Sequence, residues 1–187
     1  MSKLVVPEHP PIKYKDVELP DGWLSAKEAS ALNELARGRR VLEMGAFKGR
    51  STVAMALTAK HVVSVDWHNG DKHVQLGESL TDYRKNIAPY KNIIPIVGRF
   101  EQVIPLLSAA KFEMIFIDGQ HDFPSVIRDM YFALGFEPQV IAVHDWGLFQ
   151  VTAGIQTFKL EPTSVVDTLA IFDATKAPIK AEIKVGV

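Results

Sequence analysis

The stretch Val41-Leu-Glu-Met-Gly-Ala-Phe-Lys-Gly-Arg-Ser-Thr52 decides the fold. It opens inside the apolar run Arg40–Met44, which is too short for a buried helix and suits a strand covered on both faces. Gly45 and Gly49 then let the backbone approach a ligand, with a helix start behind them. The pattern is not the G-x-G-x-x-G of dinucleotide sites: the glycines stand four apart, and Glu43 would meet a pyrophosphate unfavourably. Asp66 closes the next apolar run, His61–Asp66, and follows Gly45 by 21 residues. An acidic side chain at a spacing of roughly 20 takes ribose hydroxyls, so the combination fits a nucleoside without phosphates.

Outward from this centre, Asn92–Val97, Phe112–Asp118 and Gln139–His144 read as further buried strands. Pro124–Leu134 reads as a helix with Val126, Ile127, Met130, Tyr131 and Leu134 on one face. Ser25 and Glu28 form a capping box, and Ala29, Leu32 and Ala36 an apolar stripe, which predicts a helix over 25–37 that Gly38 stops. Phe149–Leu160 is expected to be helical, with Ser164–Asp173 and Lys180–Val187 as strands of an edge hairpin around the turn Ala174–Pro178. Alternating strands and helices give an α/β fold. Pro7, Pro10, Pro11 and Pro20 make residues 1–22 an extended arm that covers the site or a neighbouring subunit. Residues 23–187 then form a single domain.

Composition narrows the class. The 187 residues carry a formal net charge of -1 from 21 basic and 22 acidic side chains, so no footprint for nucleic acid or an anionic membrane appears. Cysteine is absent, which leaves His, Asp, Glu and Asn as metal ligands. No stretch approaches the roughly 18 apolar residues of a membrane span, and the N-terminus lacks a signal-peptide core. A cytoplasmic protein is expected, with a small molecule as its partner and the proline-rich arm suggesting a homodimer.

Four carboxylates fall where strands end: Glu43, Asp66, Asp118 and Asp145. Open parallel sheets bind ligands outside the carboxyl ends of their strands, whereas a single acid there also serves as a plain helix cap. His144 reads either as a functional imidazole or as a buried histidine ending a core strand. His121 reads as a contact to a ligand or metal, or as part of the start of the next helix. Trp67 and Trp146 are candidate pocket walls or packing residues, and the loop Trp67–Ser79 a candidate lining for an acceptor pocket. A second metal site at His68 and His73 is disfavoured, since no regular helix joins them.

Val41–Thr52 resembles motif I of class I S-adenosylmethionine-dependent methyltransferases, and Val65-Asp66-Trp67 resembles the motif that follows. Met114-Ile-Phe-Ile-Asp-Gly-Gln-His121 and Val143-His-Asp-Trp146 are similar to later signatures of the catechol-type and metal-dependent O-methyltransferases. The resemblance implies a Rossmann-like doubly wound, mostly parallel seven-stranded sheet with an antiparallel C-terminal edge hairpin. It implies that Gly45 and its neighbours Glu43, Met44, Phe47, Gly49 and Ser51 approach the methionine part of S-adenosylmethionine. By the same likeness Asp66 takes the ribose, and Trp67, Arg99 and Phe100 the adenine side. Asp118, Gly119 and His121 complete the cofactor contacts. Asp118, His144 and Asp145 stand at the catalytic and metal-binding positions, where Mg²⁺ or Mn²⁺ gathers an acceptor hydroxyl. The catechol-type pattern has Asp-Asn where this chain has His144-Asp145, a departure that also admits His144 as a general base.

Methyl transfer to a small hydroxyl acceptor, metal-assisted, is therefore the expected activity. A metal-dependent hydrolase is the rival enzyme, although it gives Glu43 and the Gly45 loop no task. A cofactor-binding module without turnover is the third reading.

Overall fold

The computed structural model describes residues 12–70 and 77–178. Its centre is a seven-stranded sheet built from β3 (Arg40–Met44), β4 (His61–Asp66), β5 (Ile93–Val97), β6 (Met114–Ile117), β7 (Val140–Val143), β8 (Ser164–Val166) and β9 (Leu169–Asp173), preceded by the small strands β1 (Ile12–Tyr14) and β2 (Val17–Leu19). The order across the sheet is β5-β4-β3-β6-β7-β9-β8; β3 to β7 run parallel, and β9 is antiparallel to both β7 and β8. The chain starts in the middle at β3, winds outward to β5, then returns to β6 on the other side. The order therefore reverses between β3 and β6, which sets the expected ligand crevice at their carboxyl ends.

Among the described residues six α-helices accompany the strands: α1 (Ala26–Ala36), α2 (Arg50–Ala56), α3 (Leu80–Ile87), α4 (Phe100–Val103), α5 (Phe123–Gly135) and α6 (Phe149–Gln156). Alternate strand residues point to opposite faces. Leu42, Met44, Ile115, Ile117, Ile141 and Val143 pack with the helices α5 and α6, while Val41, Met114, Phe116 and Ala142 pack with α1 and α2. Both faces are covered, which explains strands that read as continuous apolar runs.

The capping box of α1 is present, with Ser25 Oγ accepting from Glu28 N and Glu28 accepting from Ser25 N. Three sequence expectations differ from the structure. Residues 12–19 are not an extended arm but a β1–β2 hairpin, whose Leu19 is fully buried in the α1–α2 core. Ser164–Asp173 is not one strand but itself a hairpin, because the chain turns at Asp167 (φ 53) and Thr168 and pairs back on itself. Ala174–Lys176 is a 3₁₀ turn, and the strand expected at 180–187 lies outside the described residues. On α5, Tyr131 is 40% exposed, while Val126, Met130, Ala133 and Leu134 form the buried face.

Candidate functional site

The loop after β3 is built around Asp66 at the end of β4. One oxygen of its carboxylate accepts from the backbone N–H groups of Ala46 (2.7 Å) and Phe47 (2.9 Å), the other from His68 N (2.7 Å). Asp66 thus fixes the loop that follows β3, with a fifth of its side chain still open. Gly45 has φ +98, and a Cβ there would lie 2.0 Å from the carbonyl oxygen of Asp118. No other residue fits, so Gly45 makes possible the close approach of β3 to the end of β6. Gly49, also left-handed at φ +91, faces Tyr83 and Ile87 of α3.

Several residues expected to face a ligand support the loop from beneath. Glu43 is fully buried and accepts from Ser51 Oγ (2.6 Å) and Thr52 Oγ1 (2.5 Å); burial pushes its pKa up to about 7 against those hydrogen bonds. Met44 is in the core, with its carbonyl accepting from Asp118 N. Phe47 (φ 48) carries the ring of Trp23 at 4.8 Å. Arg50 donates to the carbonyls of Pro20 and Leu24, clamping the chain before α1 against the start of α2.

On the other side of Asp66, the Arg99 guanidinium lies over the Trp67 ring at 5.1 Å, and Trp67 is 42% exposed. Phe100 starts α4 with its ring against Gly119, where a Cβ would lie 2.7 Å from the ring and 2.9 Å from Asp129 Oδ2. The structure thus pairs Trp67 with Arg99 and Phe100 with Gly119. Trp146 packs edge-on against Phe172 and is a packing residue. His68 is buried on Tyr83 with Nδ1 at 2.9 Å from Ser79 Oγ, and burial lowers its pKa. His73 lies outside the described residues, as does much of the loop expected to line an acceptor pocket.

The ends of β6 and β7 bring charges together. His121 Nε2 is 2.7 Å from Asp145 Oδ2 and 3.9 Å from Asp118 Oδ1. His144 Nδ1 is 3.2 Å from Asp145 Oδ2 and 3.5 Å from Asp118 Oδ1, while its Nε2 is 3.3 Å from Glu28 Oε2. The neighbouring carboxylates of Asp118 and Asp145 raise the His121 pKa to about 10. Burial opposes a charge on His144, yet the surrounding carboxylates outweigh it and hold the pKa well above the usual histidine range. Both aspartates are lowered, against burial, chiefly by the histidines.

Asp118, His121 and Asp145 offer ligand atoms within 4.8 Å of one another. Two carboxylates and an imidazole suit a hard or borderline divalent cation such as Mg²⁺ or Mn²⁺. Where the sequence reading places His144 in that set, the structure places His121. The His144 ring is buried with one nitrogen taken by Glu28, whereas His121 is 43% exposed. A His144 held in its charged form is also no general base at neutral pH.

Sequence reasoning missed two groups. Glu28 reads only as half of a capping box. Asp129 is buried on α5 with Oδ1 on Arg128 and with Oδ2 lacking a hydrogen-bond partner among the described residues; burial pushes its pKa up to about 7. An acid among the apolar positions of a helix is the one sequence signal for it.

Residues 42–146 contain the glycine loop, Asp66 and the aspartate–histidine cluster; they match the family described as a methyltransferase domain, and the chain belongs to that family. Among solved structures, the chain is similar to cofactor-bound Rv0187 from MTB at 22% identity and a TM-score of 0.66, over 84% of each chain. It is similar also to the O-methyltransferase TomG from Streptomyces achromogenes in complex with SAM, at 20% identity and a TM-score of 0.61, over 82% of this chain and 81% of TomG. A putative O-methyltransferase from Klebsiella pneumoniae shares 19% identity with the same coverage and a TM-score of 0.61. Likeness at these identities is a likeness of fold. No curated protein matches the sequence. Among the described residues no helix is long and apolar enough to cross a membrane.

Proposed function

We propose that the protein is an S-adenosylmethionine-dependent methyltransferase acting on the hydroxyl group of a small molecule, with a divalent cation assisting. The observation that carries this reading is the position of Asp66: its carboxylate joins the loop after β3 to the end of β4, next in sequence to Trp67, whose ring lies under the Arg99 guanidinium. Family membership and the SAM complex of TomG support the same cofactor.

S-adenosylmethionine, when bound, would supply an activated methyl group for displacement by the acceptor oxygen. The protein's tasks are to align the partners and to take or withdraw the acceptor proton. Asp66 would orient the ribose, and Trp67, Arg99 and Phe100 would hold the adenine side. Asp118, His121 and Asp145 would hold the cation, which would supply a positive charge that favours loss of the acceptor's proton. Asp145 orients the exposed imidazole of His121 through the 2.7 Å contact. His144 lies behind them and acts on the pair of aspartates rather than on the acceptor.

Thermal unfolding with and without saturating S-adenosylmethionine tests the proposal, with S-adenosylhomocysteine and NAD as parallel ligands. A ligand at a hundred times its dissociation constant adds about 2.7 kcal/mol. In a domain of this size that raises the midpoint by roughly 5–10 °C. A shift with both S-adenosyl compounds but not with NAD is expected. Identical midpoints in a sample free of carried-over ligand would overturn the reading.

A further inference from the structure

Glu28 has more partners than a helix cap needs. Its carboxylate is buried, 2% exposed, on the first turn of α1. Oε2 accepts from Ser25 N at 2.8 Å and faces His144 Nε2 at 3.3 Å. Oε1 accepts from Thr168 N at 2.8 Å and from Thr168 Oγ1 at 2.7 Å. The capping box accounts for the first of these contacts only. The others tie α1 to the end of β7 and to the β8–β9 turn, segments 116 and 140 residues away in sequence.

We propose that Glu28 is a positioning residue for the Asp118–Asp145 pair, acting through His144. An imidazole carries its two nitrogens on different edges of a rigid ring, so anchoring one fixes the direction of the other. With Nε2 held by Glu28 and approached by Thr168 Oγ1 at 3.4 Å, Nδ1 is directed at Asp145 Oδ2 and Asp118 Oδ1. His144 therefore holds, from its buried position, the same two oxygens that His121 Nε2 approaches. The chemistry requires a carboxylate at position 28. Two backbone N–H groups, a hydroxyl and an imidazole N–H all point at it, and only an acceptor-only group serves all four. A glutamine would turn an NH₂ toward one of these donors and release it.

This inference rests on the methyltransferase reading for its purpose, and on geometry alone for the contact. The test uses the full chain with Glu28→Gln, and Glu28→Asp as a second variant that keeps two acceptor oxygens while withdrawing them by one methylene. Ser25→Ala is the control: it removes Ser25 Oγ from Glu28 N and from Asp167 Oδ2 while keeping all four donors to the Glu28 carboxylate. Three quantities are read: the ring nitrogen resonances of His144 by NMR, Mn²⁺ affinity by electron paramagnetic resonance, and S-adenosylmethionine affinity by calorimetry. Both Glu28 variants are expected to move the His144 resonances and to weaken Mn²⁺ binding by about 10–100-fold, with S-adenosylmethionine affinity within twofold of the wild type. Ser25→Ala is expected to lower the unfolding midpoint and leave resonances and Mn²⁺ affinity unmoved. Unchanged resonances and Mn²⁺ affinity in a folded Glu28 variant would overturn the role. A wild type that binds neither S-adenosylmethionine nor Mn²⁺ would defeat the functional reading instead, while the His144 resonances still decide what Glu28 does.

Discussion

Replacing Glu43 by glutamine should change how stability responds to pH. The side chain is fully buried under the loop after β3, and its pKa is pushed from the ordinary 4.5 up to about 7. A carboxyl with a raised folded pKa binds more protons in the folded than in the unfolded state between those two values, so stability falls as pH rises through that window. The full penalty of holding this carboxyl charged is roughly 3 kcal/mol, and most of it develops between pH 5 and pH 8. Glutamine keeps the shape and carries no charge, and the hydroxyls of Ser51 and Thr52 rotate to give or accept hydrogen bonds as needed. Urea unfolding of both proteins across this range should show the wild type losing roughly 2–3 kcal/mol relative to Glu43→Gln. Asp129, also near 7, contributes equally to both proteins and cancels in the difference. Parallel stability curves would refute the argument, since they would mean that Glu43 ionises in the folded protein as readily as in the unfolded chain.

Gly45→Ala should destabilise the fold by more than about 2 kcal/mol: left-handed backbone alone costs roughly 1–2 kcal/mol, and the new Cβ would collide with the Asp118 carbonyl. Wild-type stability in urea would remove the claimed close approach of β3 to the end of β6. Asp66→Ala should leave cooperative unfolding intact but weaken S-adenosylmethionine binding at least tenfold by calorimetry; equal affinity would remove the ribose role. For His121, held protonated up to about pH 10, a bound cation must displace the proton. Mn²⁺ affinity should therefore rise by about tenfold per pH unit between 7 and 9, and a pH-independent affinity would exclude His121 as a ligand.

The parts of this protein that were legible in its sequence are those fixed by short-range periodicity. β3 and β4 have the bounds that their apolar runs predict, and α1 starts at its capping box, because doubly covered strands and capped helices carry their signals within a few residues. The edge hairpin was harder. Asp167-Thr168 interrupts one β-rich run, and nothing local distinguishes a strand from a tight hairpin when the turn residue is an aspartate in the left-handed region. At the site, the strand-end acids were readable as a set but their tasks were not, since Asp66 and Glu43 face backbone and hydroxyl donors supplied by other segments.

The exchange of His144 for His121 has a simpler cause, and one the sequence contains. Ile141 and Val143 point toward α5 and α6, so Ala142 points toward α1, and continuing the alternation sends His144 to the α1 side as well. That parity buries the imidazole against Glu28 instead of opening it to the cleft. Asp145 escapes the same logic through its left-handed φ of 59, which ends the strand and returns its carboxylate to His121. Glu28 itself was out of reach, because its meaning depends on a partner 116 residues away. The catechol-type motif placed His144 and Asp145 as neighbours with one task. Strand geometry separates them, setting one against the core as a brace and the other at the cleft as a candidate ligand.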